Sequence, residues 1–271
     1  MKLSYIFFLV TLAMISCEEV VHVDLDTAAP RLVVEASIDW VKGTDGAQQT
    51  IRLTKTTAYY ADEIPVATGA TVTMTDSDGA VFNFIEVPNT GNYVCSEFVP
   101  QIGMTYTLDI LYEGEHYSAE ETMYSVPEIG LFEQDNDGGF FGDEIEVKFF
   151  YQDNPSTEDH YMVRFDTDVL AFPQYEVASD QFTNGNLNFS TFSDEDLKAG
   201  DVLDIQLYGI SKRYYNYMQK LLSVASAGGG GPFGTPPATV RGNVRNTTQE
   251  KRFPLGYFRL SEVDTVSYTV Q

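Results

Sequence analysis

The sequence predicts a mainly β protein: an N-terminal antiparallel β-sandwich of immunoglobulin or transthyretin type, followed by a β-rich half with one amphipathic helix. Three observations point there. Seven short segments between Arg31 and Met123 alternate apolar and polar residues, the period of a half-buried strand. Tight turns rich in Gly, Asp and Asn separate them. The period changes to that of a helix at one place after the N-terminal apolar run, near 211–226.

Residues 1–16 precede any strand. Lys2 gives a short positive region, and Tyr5 to Ile15 an apolar run of signal-peptide length, too short to span a bilayer. Ser16 and Cys17 follow. Apolar residues, a small residue and then Cys resemble the lipobox of bacterial lipoproteins, with Met14 where Leu is usual. The resemblance implies cleavage before Cys17 and acyl chains on its sulfur and new amino group, enough chains for stable anchoring. Glu18 and Glu19 resemble the acidic signal that sends Bacteroidota lipoproteins to the cell surface. With Cys17 acylated, Cys95 has no partner for an intramolecular disulfide.

Residues 17–30 read as an acidic tether ending at Pro30. Within it Asp26-Thr27-Ala28, and later Asp264-Thr265-Val266, resemble the Asp-Ser/Thr-apolar site for O-glycosylation, making Thr27 and Thr265 candidate acceptors. The sandwich is expected over 31–126. Its strands are RLVVEASID, QTIRLTKT, ATVTMTD, AVFNFIEV, NYVCSEF, MTYTLDILYE and HYSAEETM. Asp76-Ser77-Asp78-Gly79, Asn89-Thr90-Gly91-Asn92 and Glu113-Gly114-Glu115 turn the chain between them. Pro127 interrupts strand pairing and marks the break.

The second half, 127–271, contributes EIEVKFFYQ, HYMVRFD and DVLDIQLYGI as strands. In SKRYYNYMQKLLSVAS, Tyr214, Tyr217, Met218, Leu221 and Ala225 fall on one helical face, with Ser211 placed to cap the start and Gly228 the end. GGGGPFGTPP has no Gly-Lys-Ser/Thr ending and reads as a loop, not a phosphate cradle. ATVRGNV and LGYFRLSEVDTVSYTV read as closing strands.

A net charge of −24 argues against a nucleic-acid partner, which needs Lys and Arg against phosphate. His22, His116 and His160 form no metal-ligand spacing, no Gly-x-Ser-x-Gly elbow is present, and carboxylates are too numerous for any pair to stand out. A non-enzyme without cofactor is therefore expected. EQDNDGGFFGDE, 133–144, offers Asp135, Asp137, Asp143 and Glu144 as oxygen ligands for Ca²⁺, but Phe140 stands where an EF-hand needs its turn glycine. A solvated acidic loop is the expectation, with no metal. Phe140 and Phe141 lie between glycines away from any strand pattern, and Trp40 ends the first strand; these aromatics are able to fill a partner's pocket, stack on a sugar or plug the sandwich ends.

LVVEASI, IRLTKTTAYY, GATVTMTDSDG, YTLDILYEGEHYSAEETM, VPEI, PFGTPPATVRGNV and PLGYFRLSEV, in that order, resemble an uncharacterised Bacteroidota outer-membrane lipoprotein family carrying a domain of unknown function. Its genes often lie beside TonB-dependent transporters. The resemblance implies an accessory lipoprotein at the outer-membrane surface that helps a β-barrel transporter capture or take up a ligand, and it brings no catalytic residues. An independent glycan-binding lipoprotein, and a structural protein supporting outer-membrane assembly, are the alternatives.

Overall fold

The structure, a computed structural model, describes residues 29–58, 61–226 and 240–271. Seven strands make the first half: β1 (Leu32–Val41), β2 (Gln49–Lys55), β3 (Thr71–Asp76), β4 (Val81–Val87), β5 (Asn92–Cys95), β6 (Thr105–Tyr112) and β7 (Glu115–Thr122). Each coincides with one of the seven alternating segments. On β1 the pattern puts Leu32, Val34, Ala36 and Ile38 inside and their neighbours outside. One sheet runs β1-β2-β5 and the other β3-β6-β7. β4 belongs to both, because its first residues pair with β3 and its last, Ile85 to Val87, pair with β5. The core between the sheets is apolar, and Phe82, Phe98 and Tyr106 pack ring to ring in it at 4.9 to 6.4 Å. The Tyr93 and Tyr106 hydroxyls donate to Ala67 O and Val99 O at 2.9 Å, which lets two large rings be buried without an orphaned O–H.

The second half adds β8 (Ile129–Gly138), β9 (Glu144–Gln152), β10 (His160–Asp166), β11 (Gln174–Ser179), β12 (Leu187–Asp194), β13 (Val202–Gly209), α1 (Lys212–Ser226), β14 (Arg245–Asn246) and β15 (Leu255–Thr269). The three-stranded sheet β12-β9-β8 lies against β10, β13 and the end of β15 over a second core, built from Val147, Phe149, Phe165, Phe192, Ile205 and their neighbours. α1 covers the outer face of that second sheet through Tyr214 and Met218 on Met162, Tyr208 and Tyr257. Covered on both faces, β10 loses strict alternation: His160 to Val163 are all buried.

Three expectations are corrected. Glu133 to Gly138 are not loop but the end of β8, paired with β9 through Glu133↔Lys148 and Asp135↔Glu146. β11 and β12 were not anticipated. Residues 240–244 form no strand; instead Asn243 takes the place of one. Its Nδ2 donates to Phe258 O at 2.8 Å and its Oδ1 accepts from Phe258 N at 2.9 Å, satisfying the strand edge with a side-chain amide.

The helix starts where expected. Ser211 Oγ accepts the Tyr214 N–H at 3.1 Å while its own O–H donates to Glu121 Oε2 at 3.1 Å. Ser211→Ala is expected to lower stability by about 1 kcal/mol, read from urea unfolding. Gly228 lies outside the described residues.

β15 is the strand that joins the halves. Leu255 to Val263 pair in parallel with β1, and Val263 to Thr269 pair antiparallel with β13. Phe258 and Leu260 enter the first core, and Val270 the second. The connection between the halves is stitched to the same strand: Val126 N donates to Glu262 Oε2 at 2.9 Å and Ile129 N to Asp264 Oδ2 at 2.6 Å. Before the stitch the last member of the first core is Met123, and the second core begins at Val126. Gly256 makes the parallel pairing feasible. Its φ is +88°, and a Cβ there would stand 2.0 Å from Val34 O.

Candidate functional site

Strand directions sort the second half's loops into two ends. β12 finishes opposite the start of β9 (Asp194↔Ile145), and β10 finishes opposite the start of β13 (Asp166↔Asp204). The β8–β9 tip, residues 139–143, therefore shares one end with loops 167–173 and 195–201. Three phenylalanines stand at that end almost wholly in water: Phe140 is 91%, Phe141 82% and Phe172 83% exposed. Phe140 and Phe141 meet edge to face, centroids 5.0 Å apart and planes at 89°. Gly139 and Gly142, at φ +71° and +75°, allow the tight tip that pushes the two rings outward. A Cβ on Gly139 would press within 2.8 Å of Glu144 Cβ.

Burying a phenylalanine is worth roughly 1.5–3 kcal/mol, so three left in water at one end forgo that gain in the chain as it stands. Asp135, Asp137, Asp143 and Glu144 surround the tip in sequence. Asp135 faces Glu146 across the hairpin, and its Oδ1 accepts the Asp137 N–H at 3.0 Å. Among the described residues these four are not gathered as a set of three ligating groups; the one acidic set that is gathered lies at the opposite end.

Trp40 is placed differently from Phe140 and Phe141. It packs half-buried on the first core, its Nε1 donates to Thr44 O at 2.9 Å, and its ring closes over Gly46. It plugs the sandwich. Of the histidines, His116 is exposed on β7, and His160 is buried with its ring edge to face on Tyr215 at 5.0 Å. Burial lowers the His160 pKa, favouring neutral imidazole. Thr265 is exposed on β15 opposite Gln206, while the Asp264 beside it holds Ile129. Cys17, Glu18, Glu19, His22 and Thr27 lie outside the described residues.

A second feature was not foreseen. Between α1 and residues 240–243 lies an open cleft of about 600 Å³, whose lining includes Lys212, Arg213, Lys220 and Arg241. The chain has only 16 Lys and Arg against 40 Asp and Glu, so four of them lining one cleft is a local concentration of basic side chains. Arg213 is already engaged, donating to Glu120 O and, at 3.3 Å, to Glu121 Oε2. Lys212 pairs with Glu158 at 2.7 Å. Arg241 lies over the Phe253 ring at 3.9 Å, and Arg31 lies over the same ring at 4.0 Å. Beneath, Glu121 is buried, and burial raises its pKa against the pull of Arg213. The four cations come from two separate segments, one of them without regular structure, which is why no local motif announces them.

Residues 18–267 match the family described as Domain of unknown function (DUF4249). The chain belongs to that family. The DUF4249 match runs from Glu18 to Ser267 and so takes in both cores, the helix and most of the joining strand. No curated protein matches the chain. Solved structures similar to it include a two-domain fibronectin type III segment of chicken tenascin, at 12% identity and TM-score 0.22, covering 66% of this chain and 90% of that one. A DUF4785 family protein of Legionella pneumophila has 9% identity and TM-score 0.27, covering 66% of this chain and 52% of that one. The FN1–FN3 domains of chicken CNTN1 have 13% identity and TM-score 0.27, covering 65% of this chain and 62% of that one. At such TM-scores none of them informs the function of this DUF4249 chain.

Proposed function

We propose that the chain is a non-catalytic outer-membrane surface lipoprotein, anchored through Cys17, that docks on a TonB-dependent β-barrel transporter and assists ligand capture or uptake. The observation that carries this reading is the aromatic end formed by Phe140, Phe141 and Phe172. A stable docking surface buries about 1,200–2,000 Å² in total, and its energy concentrates in a few large side chains that enter a partner's pockets. Three solvent-held phenylalanines on loops positioned by a packed core fit that role. The edge-to-face pair offers a ridge for a pocket and not the flat face on which a sugar ring stacks. That favours docking over the glycan-binding alternative. The acidic surface would be repelled by anionic lipid, so the acyl chains on Cys17 supply the membrane attachment.

The test is a C-terminally tagged full-length chain in a Bacteroidota host, wild type beside Phe140→Ser/Phe141→Ser/Phe172→Ser. Wild type is expected to take up labelled palmitate, to be shaved by protease from intact cells, and to bring a large β-barrel with it from detergent extracts. The triple variant is expected to keep the label and the exposure and to lose barrel recovery by about tenfold or more. Wild type purifying alone overturns the docking reading, as does a triple variant that retains the barrel. Loss of binding on a glycan array, without a change in barrel recovery, would favour the glycan reader instead. An unlabelled Cys17 removes the anchor from the argument.

A further inference from the structure

The end of the second half opposite the phenylalanines holds an unbalanced set of acids. Loop 153–159, between β9 and β10, and loop 180–186, between β11 and β12, are tied to each other. Asp153 N donates to Asn186 O at 3.1 Å, Asn184 Nδ2 to Thr157 O at 2.8 Å, and Gly185 N to Asp153 Oδ2 at 2.7 Å. Asp153, Asp159 and Asp180 meet where the loops cross, with one carboxylate oxygen of each within 4.8 Å of the other two. Asp153 and Asp180 are each 1% exposed.

Their hydrogen bonds leave one gap. Asp153 Oδ1 accepts the Tyr161 hydroxyl at 2.5 Å, and Asp159 Oδ2 accepts the Thr157 hydroxyl at 2.6 Å. Asp180 Oδ2 accepts the Asp159 N–H at 2.7 Å, but Asp180 Oδ1 is shut off from water and has no partner. No ion pair among the described residues ends on any of the three. Lys212 at the helix start, whose charge is felt at Asp180, is held by Glu158. Leaving a buried carboxylate uncompensated costs several kcal/mol.

A single shared proton does not offset more than one of the three negative charges gathered there. A cation at the centre does. We propose that Asp153, Asp159 and Asp180 bind one Ca²⁺ ion that clamps loop 153–159 to loop 180–186. Oxygen-only donors select a hard cation over Zn²⁺ or Cu²⁺. Ca–O distances of about 2.3–2.6 Å place oxygens on opposite sides of the ion about 4.6–5.2 Å apart, which accommodates the spacing seen. Mg²⁺ demands near-ideal octahedral geometry and retains several of its waters, which suits a site walled by two buried carboxylates less well. The clamp also fixes the loop that carries Phe182, another exposed aromatic.

The test uses the full-length chain in detergent, stripped with chelator and titrated with CaCl₂ by calorimetry, beside thermal unfolding in Ca²⁺ and in Mg²⁺. Wild type is expected to bind one Ca²⁺ saturably, with Tm rising by about 5–10 °C at a hundredfold excess over Kd. Mg²⁺ at the same concentration is expected to give less than half that rise. Asp180→Asn keeps the side chain's shape and removes the unpaired charge. It is expected to melt no lower than metal-free wild type and to lose the Ca²⁺ shift. Asp159→Asn, at a half-buried position, is expected to weaken Ca²⁺ binding about tenfold or more while remaining folded. Absence of saturable Ca²⁺ binding to wild type, an unchanged Ca²⁺ shift in both variants, or an equal Mg²⁺ shift would each overturn the proposal.

Discussion

Gly256→Ala is expected to abolish the cooperative thermal transition of the chain. The positive φ of +88° disfavours any side chain, and the new Cβ would stand 2.0 Å from the carbonyl oxygen of Val34, a backbone atom that cannot swing away. Relief requires β15 to move off β1, and that pairing runs nine residues from Val33↔Leu255 to Val41↔Val263. Segment 240–243 crosses the same point, where a Cβ on Gly242 would meet Gly256 O at 1.7 Å. A cost of about 5 kcal/mol or more is expected, comparable with the whole stability of an ordinary domain. A substituted chain that melts within a few degrees of wild type by circular dichroism would show that β1 and β15 do not depend on this contact.

The second large effect is expected at Arg259, a buried cation on β15. Its Nη1 donates to Ser261 Oγ at 2.6 Å and lies 2.7 Å from Asp39 Oδ1 on β1, close enough for charge attraction although that hydrogen bond is not aligned. Its guanidinium also lies 4.9 Å from the Tyr208 ring and 5.4 Å from that of Tyr214, so one side chain connects β1, β13, β15 and α1. Arg259→Ala removes the charge partner of Asp39 and the material under the helix together, with an expected loss of about 3–5 kcal/mol in urea unfolding. Arg259→Met restores the bulk without the charge and is expected to recover most of the loss. If alanine and methionine destabilise equally, the ion pair and not the packing holds the helix in place.

How legible the fold was depended on how local its signals are. All seven strands of the first half announce themselves, because each buries alternate residues and faces water with the others. β8 did not, since Glu133, Gln134, Asp135, Asn136 and Asp137 carry the composition of a solvated loop. Their strand state comes from pairing with β9, where Lys148 meets Glu133. In β11 no residue is fully buried, and its burial pattern does not alternate. The parallel pairing of β1 with β15 joins opposite ends of the described chain, and no window of sequence contains both partners.

The same limit separated the aromatic end from the acid set. Phe140 and Phe141 stand out between glycines, but Phe172 joins them only once the strand directions are known. Attention to clustered acids led to Asp135 through Glu144, whereas the set that converges is spread over two loops with only two of its members, Asp153 and Asp159, near each other in sequence. Asp180 arrives because β11 runs back along β10 and ends opposite its start, His160↔Ser179.

The position of β15 sets the order in which this protein can mature. Synthesis proceeds from the N-terminus, and β15 follows every other described strand. The first sandwich lacks Phe258 and Leu260 until then, and the second sheet lacks the strand that borders β13. A nascent chain therefore cannot complete its first half early and wait, as a string of independent modules would. It stays incomplete until β15 has been made. Both halves are completed when β15 pairs with β1 and β13, a long-range step of the kind that slows folding.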